Sequence, residues 1–231
     1  MNKTILTDAL RAAWPIMAGY VVLGLPCGLL CQTCGINALE AFLLSIFFYS
    51  GAGQYMIPNM FLAMADPLSI IASVSLVNTR QMLYSASLSR FCAGVGKVLS
   101  FVFAATVTDE SFGVNLAQFA NGHWDVKRAC MVNVFSMLTW ATSNAVGVLV
   151  GQLISVPTAL ASFAMTAIFI CLLCMQKFTK ANICAMAAAA FGVFICKFVG
   201  LSGPAILIGA VIGVCIGMLA SRGQKTEEAN E

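Results

Sequence analysis

The sequence predicts an all-α, polytopic integral membrane protein, and three observations predict it. The chain is 60% hydrophobic and only 9% charged, against about 25% charged in soluble domains. Its 231 residues divide into apolar runs of spanning length, with room for about seven to eight helices at ~20 residues each. No polar stretch is long enough for a soluble domain. Residues 1–221 therefore read as one transmembrane domain and 222–231 as a polar, disordered tail. The net charge of +3 is spread over loops and forms no patch of the kind that binds nucleic acid.

Lys3 and Arg11 precede a first apolar run that is longer than a signal-peptide core and lacks a clear small-residue cleavage site, so it reads as a retained helix. Span 1 is expected at about Trp14–Cys34. Gly24 and Gly28, one turn apart, allow another helix to approach closely. Pro26 removes a backbone donor and predicts a kink.

Span 2, about Ala38–Ala65, contains Ser50, Gly51, Ala52, Gly53, Gln54 and Tyr55 in a row, then Pro58. Two glycines and a polar pair at bilayer depth predict a broken helix, with Ser50 capping its second half. Irregular backbone at that depth needs cover from protein or a water-filled cavity. A continuous helix with a glycine-rich packing face is the other reading. Span 3, about Leu68–Leu88, carries Asn78, Thr79, Arg80 and Tyr84. Arg80 is too far from either end to snorkel easily, so it needs a carboxylate or carbonyl partner.

Span 4 is expected at about Val98–Phe119, with Asp109 and Glu110 near its middle. One carboxylate there costs ~2.5–3.5 kcal/mol on insertion scales, so a mere anchor has no reason to carry two. Span 5 is about Ala129–Leu153, with Asn133, Trp140, Asn144, Gly147 and Gly151. Spans 6, 7 and 8 are about Ala159–Gln176, Ala181–Val199 and Gly203–Ala220. Span 8 repeats glycine at Gly209, Gly213 and Gly217, a packing stripe for another helix of this chain or of a partner; these three are assigned to a partner interface.

Eight spans with the N-terminus inside put Lys3, Arg11, Lys127, Arg128, Lys177, Lys180, Arg222 and Lys225 on the cytoplasmic side. The outer side receives Arg90, Lys97 and Lys197, so the basic bias favours both termini inside. A re-entrant span 2 would change the parity. The breaks at Ser50–Gln54 and Thr106–Gly113 hint at equivalent discontinuous elements of two inverted halves, a common transporter plan.

Thr106, Thr108, Asp109, Glu110 and Ser111 make a polar knot inside span 4. Adjacent helical residues point ~100° apart, so the two carboxylates cannot meet one partner alike. One is expected to pair with Arg80 and stay ionised; the other is left to take up and release protons, as a proton-coupled carrier needs. A buried ion pair that only fixes packing is the plainer alternative. Ser50, Gly51, Gly53, Gln54, Tyr55, Asn78, Tyr84 and Thr108 are candidate substrate contacts. The free half-helix N-terminus after Ser50 suits an amino-acid carboxylate, and Asp109 or Glu110 suits its ammonium.

Other chemistry finds little support. Cys31/Cys34 and Cys171/Cys174 have redox spacing, but positions three apart simply share a helix face. Most of the ten cysteines fall in or beside apolar runs, where Cys behaves as a small hydrophobe. His123 is the single histidine, so no His-based metal site or triad is available. No nucleophile elbow, zinc-helix or phosphate-loop motif occurs. No cofactor and no enzymatic activity are expected.

Pro15, Gly19, Tyr20 and Gly24, then Ser50 with Ala52-Gly53-Gln54-Tyr55, then Asn78, Arg80 and Tyr84, then Thr108-Asp109-Glu110-Ser111-Phe112, occur in that order. With Trp140, Gly147 and Gly151 following, the pattern resembles the AzlC family across roughly residues 10–220. The resemblance implies a large subunit of a bacterial branched-chain amino-acid exporter in the cytoplasmic membrane. It implies valine, leucine, isoleucine and analogues such as azaleucine as substrates, and a small AzlD-type membrane partner. The family is sometimes labelled a permease of ATP-driven transporters, but nothing here resembles a nucleotide-binding domain, which favours proton-motive force. Many relatives have Phe where Tyr55 stands, and acidic residues near Ser162-Phe163-Ala164 and Met175-Gln176. A passive pore and, further off, a membrane thiol-redox protein are the competing function classes.

Overall fold

The computed structural model describes residues 3–122, 124–154, 179–198 and 205–228, with single positions between 163 and 174. Every regular element among them is helical: α1 (Lys3–Thr33), α2 (Ala38–Phe47), α3 (Gly51–Leu62), α4 (Pro67–Leu88), a short 3-10 turn (Ser89–Cys92), α5 (Lys97–Ala105), α6 (Asp109–Ala120), α7 (Val126–Leu153), α8 (Lys180–Phe198) and α9 (Ala205–Glu228). The expected span 6, His123, Cys171 and the Ser162 and Met175–Gln176 positions lie outside the described residues. Helix α9 runs on to Glu228, past the end expected at Ala220.

Contacts divide the chain into two compact units, residues 1–63 with 77–166 and residues 64–76 with 167–231. In the first unit, α1 and α7 are each long and apolar enough to cross a membrane, over Thr4–Thr33 and Val126–Leu153. They pack on each other through glycines. A Cβ at Gly28 would stand 2.0 Å from the Asn144 carbonyl oxygen, and one at Gly147 would stand 2.3 Å from that of Leu25. Gly24 faces Ser143 and Gly151 faces Leu29 and Gln32 in the same seam. The two small-residue pairs noted in spans 1 and 5 are therefore the two sides of one contact. Between apolar helices in lipid, such close backbone approach supplies the dispersion that hydrophobic burial does not.

Two spans are broken. The chain leaves the helix at Phe48 and re-enters at Gly51, where the Ser50 hydroxyl accepts from the Gly53 amide at 3.1 Å. It breaks again at Thr106–Thr108, and the Thr108 and Ser111 side chains cap α6 reciprocally. Span 4, expected over Val98–Phe119 with a polar break at Thr106–Gly113, is interrupted within that stretch. It is two half-helices, α5 and α6, and Asp109 and Glu110 are the first two residues of α6 rather than mid-helix groups. The reason is local: Thr108 offers a hydroxyl cap, and carboxylates are favoured in a first turn, against free N–H groups and the positive end of the helix dipole.

In the second unit, α8 and α9 pack through glycines too. A Cβ at Gly209 would meet Val193 Cγ2 at 2.4 Å, and one at Gly213 would meet the Ala189 Cβ at 2.8 Å. Gly209 and Gly213 are therefore turned onto α8 of the same chain, which corrects their assignment to a partner interface. Gly192 and Ala189 on α8 are small enough to accept them; the stripe alone cannot reveal that. Gly217 is half-buried.

Gly147→Val is expected to lower the unfolding temperature and the yield of monodisperse protein in detergent, since its Cβ meets backbone that cannot yield and overpacking costs ~1–3 kcal/mol or more. Gly19→Val, with nothing within 4 Å of the added carbon, should stay near wild type; size-exclusion profiles and thermal melts of both compare them directly.

Candidate functional site

The two half-helix starts, at Ser50 and Thr108, are tied to side chains of α1, α4 and α7. On α4, Asn78 accepts a hydrogen bond from the Ser50 hydroxyl at 2.6 Å. One half-turn on, Arg80 NH1 meets Asp109 Oδ2 at 2.9 Å. Both partners are largely covered, with 30% and 21% of their side-chain surface exposed. The pair is single-pronged: Arg80 Nε and Asp109 Oδ1 are buried and have no hydrogen-bond partner. Tyr84 stacks on Phe112 at 4.6 Å between ring centres and lies beside Asp109. The carboxylate that Arg80 needs is thus Asp109.

Glu110 points elsewhere. Its Oε2 accepts from the Tyr20 hydroxyl at 2.7 Å, and the same hydroxyl is 2.8 Å from Thr108 Oγ1. Tyr20 comes from α1 and is 5% exposed. Its ring packs edge-on against Trp140 at 5.2 Å and Tyr49 at 6.4 Å. The Tyr49 hydroxyl sits in the same group, beside Glu110, Tyr20 and Thr108, and is buried without a partner. No cation is paired with Glu110 among the described residues. Two adjacent carboxylates thus have separate surroundings, one an ion pair and the other a cluster of hydroxyls.

Gln54 and Tyr55 do not face this space. Gln54 Nε2 donates to the Phe48 carbonyl at 2.9 Å, and Gln54 Oε1 accepts from the Trp140 indole and from Ser45 Oγ at 3.3 Å. The Tyr55 hydroxyl donates to the Leu23 carbonyl at 2.6 Å, in the stretch of α1 where Pro26 removes a donor. Both residues are 1% exposed. In this structure their polar groups hold the break in place. Gly53 is a packing position, since a Cβ there would meet the Phe48 ring and Ser50 Oγ at 2.9 Å. Gly51 is half-buried over the Trp140 ring and, with Ser50, opens α3.

Reading the sequence missed Tyr20 and Tyr49 as site residues and Asn115 as a structural one. Asn115 Nδ2 donates to Asn133 Oδ1 at 3.0 Å, Asn133 Nδ2 donates to Thr106 Oγ1 at 3.2 Å, and the Trp124 indole donates to Asn115 Oδ1 at 3.2 Å. This buried network fastens the second break to α7, as Trp140 fastens the first. A lone amide or phenol in an apolar run was the available signal, but it carries no direction.

Arg80→Met should destabilise the protein by more than the ~1 kcal/mol of an exposed pair and less than the ~3–5 kcal/mol of a fully buried one. Adding Asp109→Leu should recover part of that loss, because the unpaired charge is gone; thermal melts of the single and double variants measure the coupling.

With the geometry in place, comparison with known proteins is informative. The family model described as AzlC protein matches residues 15–154, which include every residue of this site. The chain is similar to "Branched-chain amino acid transport protein AzlC" of Bacillus subtilis, 25% identical over 99% of this chain and 91% of that protein. It is also similar to an "uncharacterized membrane protein" of Helicobacter pylori, 30% identical over 73% of this chain and 74% of the relative. A third relative, an "uncharacterized membrane protein" of Haemophilus influenzae, is 25% identical over 71% and 70%. No solved structure matches. The match takes in more than half of the chain, both broken helices and their caps, and on it the chain belongs to the AzlC family.

Proposed function

We propose that this chain is the large subunit of a secondary exporter of branched-chain amino acids, driven by the proton gradient across the bacterial cytoplasmic membrane. The observation that carries the reading is the division between neighbouring carboxylates: Asp109 is paired with Arg80, and Glu110, exposed, is bonded only to the Tyr20 hydroxyl. Transport of branched-chain amino acids is what the name of the Bacillus subtilis relative states of that protein.

The chemistry runs from there. Asp109 is paired with a permanent cation, and the pair fixes α6 against α4. Glu110 has two alternative occupants, a proton or the ammonium of an amino acid. One group that can hold either but not both is the simplest basis for exchange in opposite directions, proton in and amino acid out. The substrate carboxylate takes the start of α3 at Ser50 and Gly51, where free N–H groups and the helix dipole favour an anion. Asn78 orients that start through Ser50. The orphaned Tyr49 hydroxyl supplies one further hydrogen bond inside the site. A small AzlD-type membrane subunit completes the exporter, and the N-terminus faces the cytoplasm.

Cells lacking this chain and fed a valyl or leucyl dipeptide should accumulate the free amino acid, and restoring the chain with its small partner should relieve the accumulation. Glu110→Gln should lower the export rate per folded molecule by ~10-fold or more, the factor equivalent to ~1.4 kcal/mol. Asp109→Asn should act mainly by lowering the amount of folded protein. Export by Glu110→Gln at the wild-type rate contradicts the proton-carrying role.

A further inference from the structure

The Tyr20 hydroxyl has one proton and two acceptors within reach, Glu110 Oε2 at 2.7 Å and Thr108 Oγ1 at 2.8 Å. It can donate to only one of them at a time. We infer that Tyr20 is a positioning residue that reports the protonation of Glu110 to the cap of α6, by reversing the direction of a three-membered hydrogen-bond chain. This rests on the reading of Glu110 as the proton carrier.

The chain can run in two directions, and the ionised carboxylate permits only one of them. With Glu110 ionised, its oxygen can only accept. Tyr20 donates to it, the Thr108 hydroxyl donates to Tyr20, and Thr108 Oγ1 keeps its lone pairs for the Ser111 amide that it caps. With Glu110 protonated on Oε2, the oxygen that faces Tyr20, the carboxyl O–H donates to the Tyr20 oxygen and Tyr20 donates to Thr108. Thr108 must then turn its own proton away, and the Ser111 hydroxyl stands 3.4 Å off to receive it. Ser111 Oγ already accepts from the Thr108 amide at 2.9 Å, so the extra donor competes inside the capping box. The phenol keeps a proton throughout; the arriving proton resides on Glu110.

The cap is where such a reversal matters most. Thr108 ends the break that separates α5 from α6, and in a membrane a weakened cap leaves N–H groups without water to take them. Loading Glu110 thereby changes the stability of the first turn of α6, the turn that also holds Asp109 against Arg80. The ionisable groups facing Glu110 are Tyr20 from α1, Tyr49 from the break before α3, Tyr84 from α4, and Asp109 on its own helix, the last held by Arg80. The Tyr49 hydroxyl is buried beside Tyr20 and Thr108 without a hydrogen bond of ordinary geometry, and it stands ready to compensate on the Tyr20 side.

The test pairs two readouts. The first is valine export per folded molecule across pH, in cells carrying the chain with its partner. The second needs no transport: amide hydrogen exchange of the Thr106–Asn115 segment of the purified protein across pH, corrected for the intrinsic pH dependence of exchange. Tyr20→Phe keeps the ring on Trp140 and removes only the hydroxyl. It should flatten both profiles while keeping export at its best pH within ~10-fold of wild type, as suits loss of one hydrogen bond. Thr108→Val should do the same and Thr108→Ser should not. Tyr20→Phe with Glu110→Gln should export no worse than Glu110→Gln alone. A wild-type exchange profile in Tyr20→Phe, or effects of the two substitutions that multiply, overturns the inference. Exchange behaving as expected while Glu110→Gln exports with the wild-type pH profile upholds the Tyr20 switch and sinks the transport reading instead.

Discussion

Two helical stretches are interrupted among the described residues, and each interruption leaves backbone N–H groups without helical partners at a buried start, Ser50 or Thr108. Most of the first unit can be understood as meeting that demand. Ser50 and Thr108 cap the resumed helices. Trp140 holds the first break through Gln54, and Asn133 holds the second through Thr106. Trp140 and Asn133 lie about two turns apart on α7, so one straight helix braces both breaks. The Gly24/Gly28 and Gly147/Gly151 seam then locks α7 to α1, the helix that brings Tyr20.

Function follows from what the breaks expose. Interrupting span 4 places two carboxylates at a helix start, where free amides and the dipole lower the cost of carrying charge. Their neighbours then separate them. Arg80 neutralises Asp109, and the pair joins α4 to α6. Glu110 is bonded to the Tyr20 hydroxyl alone. One carboxylate joins two helices, and the other is the group proposed above for exchange. The same division explains why an acidic pair occurs here rather than a single residue.

Much of this was legible in the sequence, where energetic cost made it so. Arg80 and the acidic pair were conspicuous because charge at bilayer depth needs a partner, and the ion pair between them could be anticipated. The first break was legible because Ser50 is a capping residue followed by two glycines. The second was legible as a polar break at Thr106–Gly113, but not its position at the start of a capped helix, because hydropathy does not register a cap. The protein partners of Gln54 and Tyr55 were not legible, because a polar side chain in an apolar run announces a need for partners without saying which they are. Tyr20 escaped for the opposite reason: a tyrosine in an apolar helix is unremarkable until the fold brings it to Glu110. The glycine stripe of α9 pointed to a helix contact, yet only the fold shows that α8 fills it.

The account stands on the inequality of Asp109 and Glu110, and proton flux separates them most directly. Membrane vesicles containing the exporter, loaded with a pH-sensitive dye and given a valine gradient, should show valine movement accompanied by proton movement in the opposite direction. That proton signal should survive in the Asp109→Asn protein that folds and vanish in Glu110→Gln. A valine-driven proton signal of wild-type size in Glu110→Gln would contradict the account.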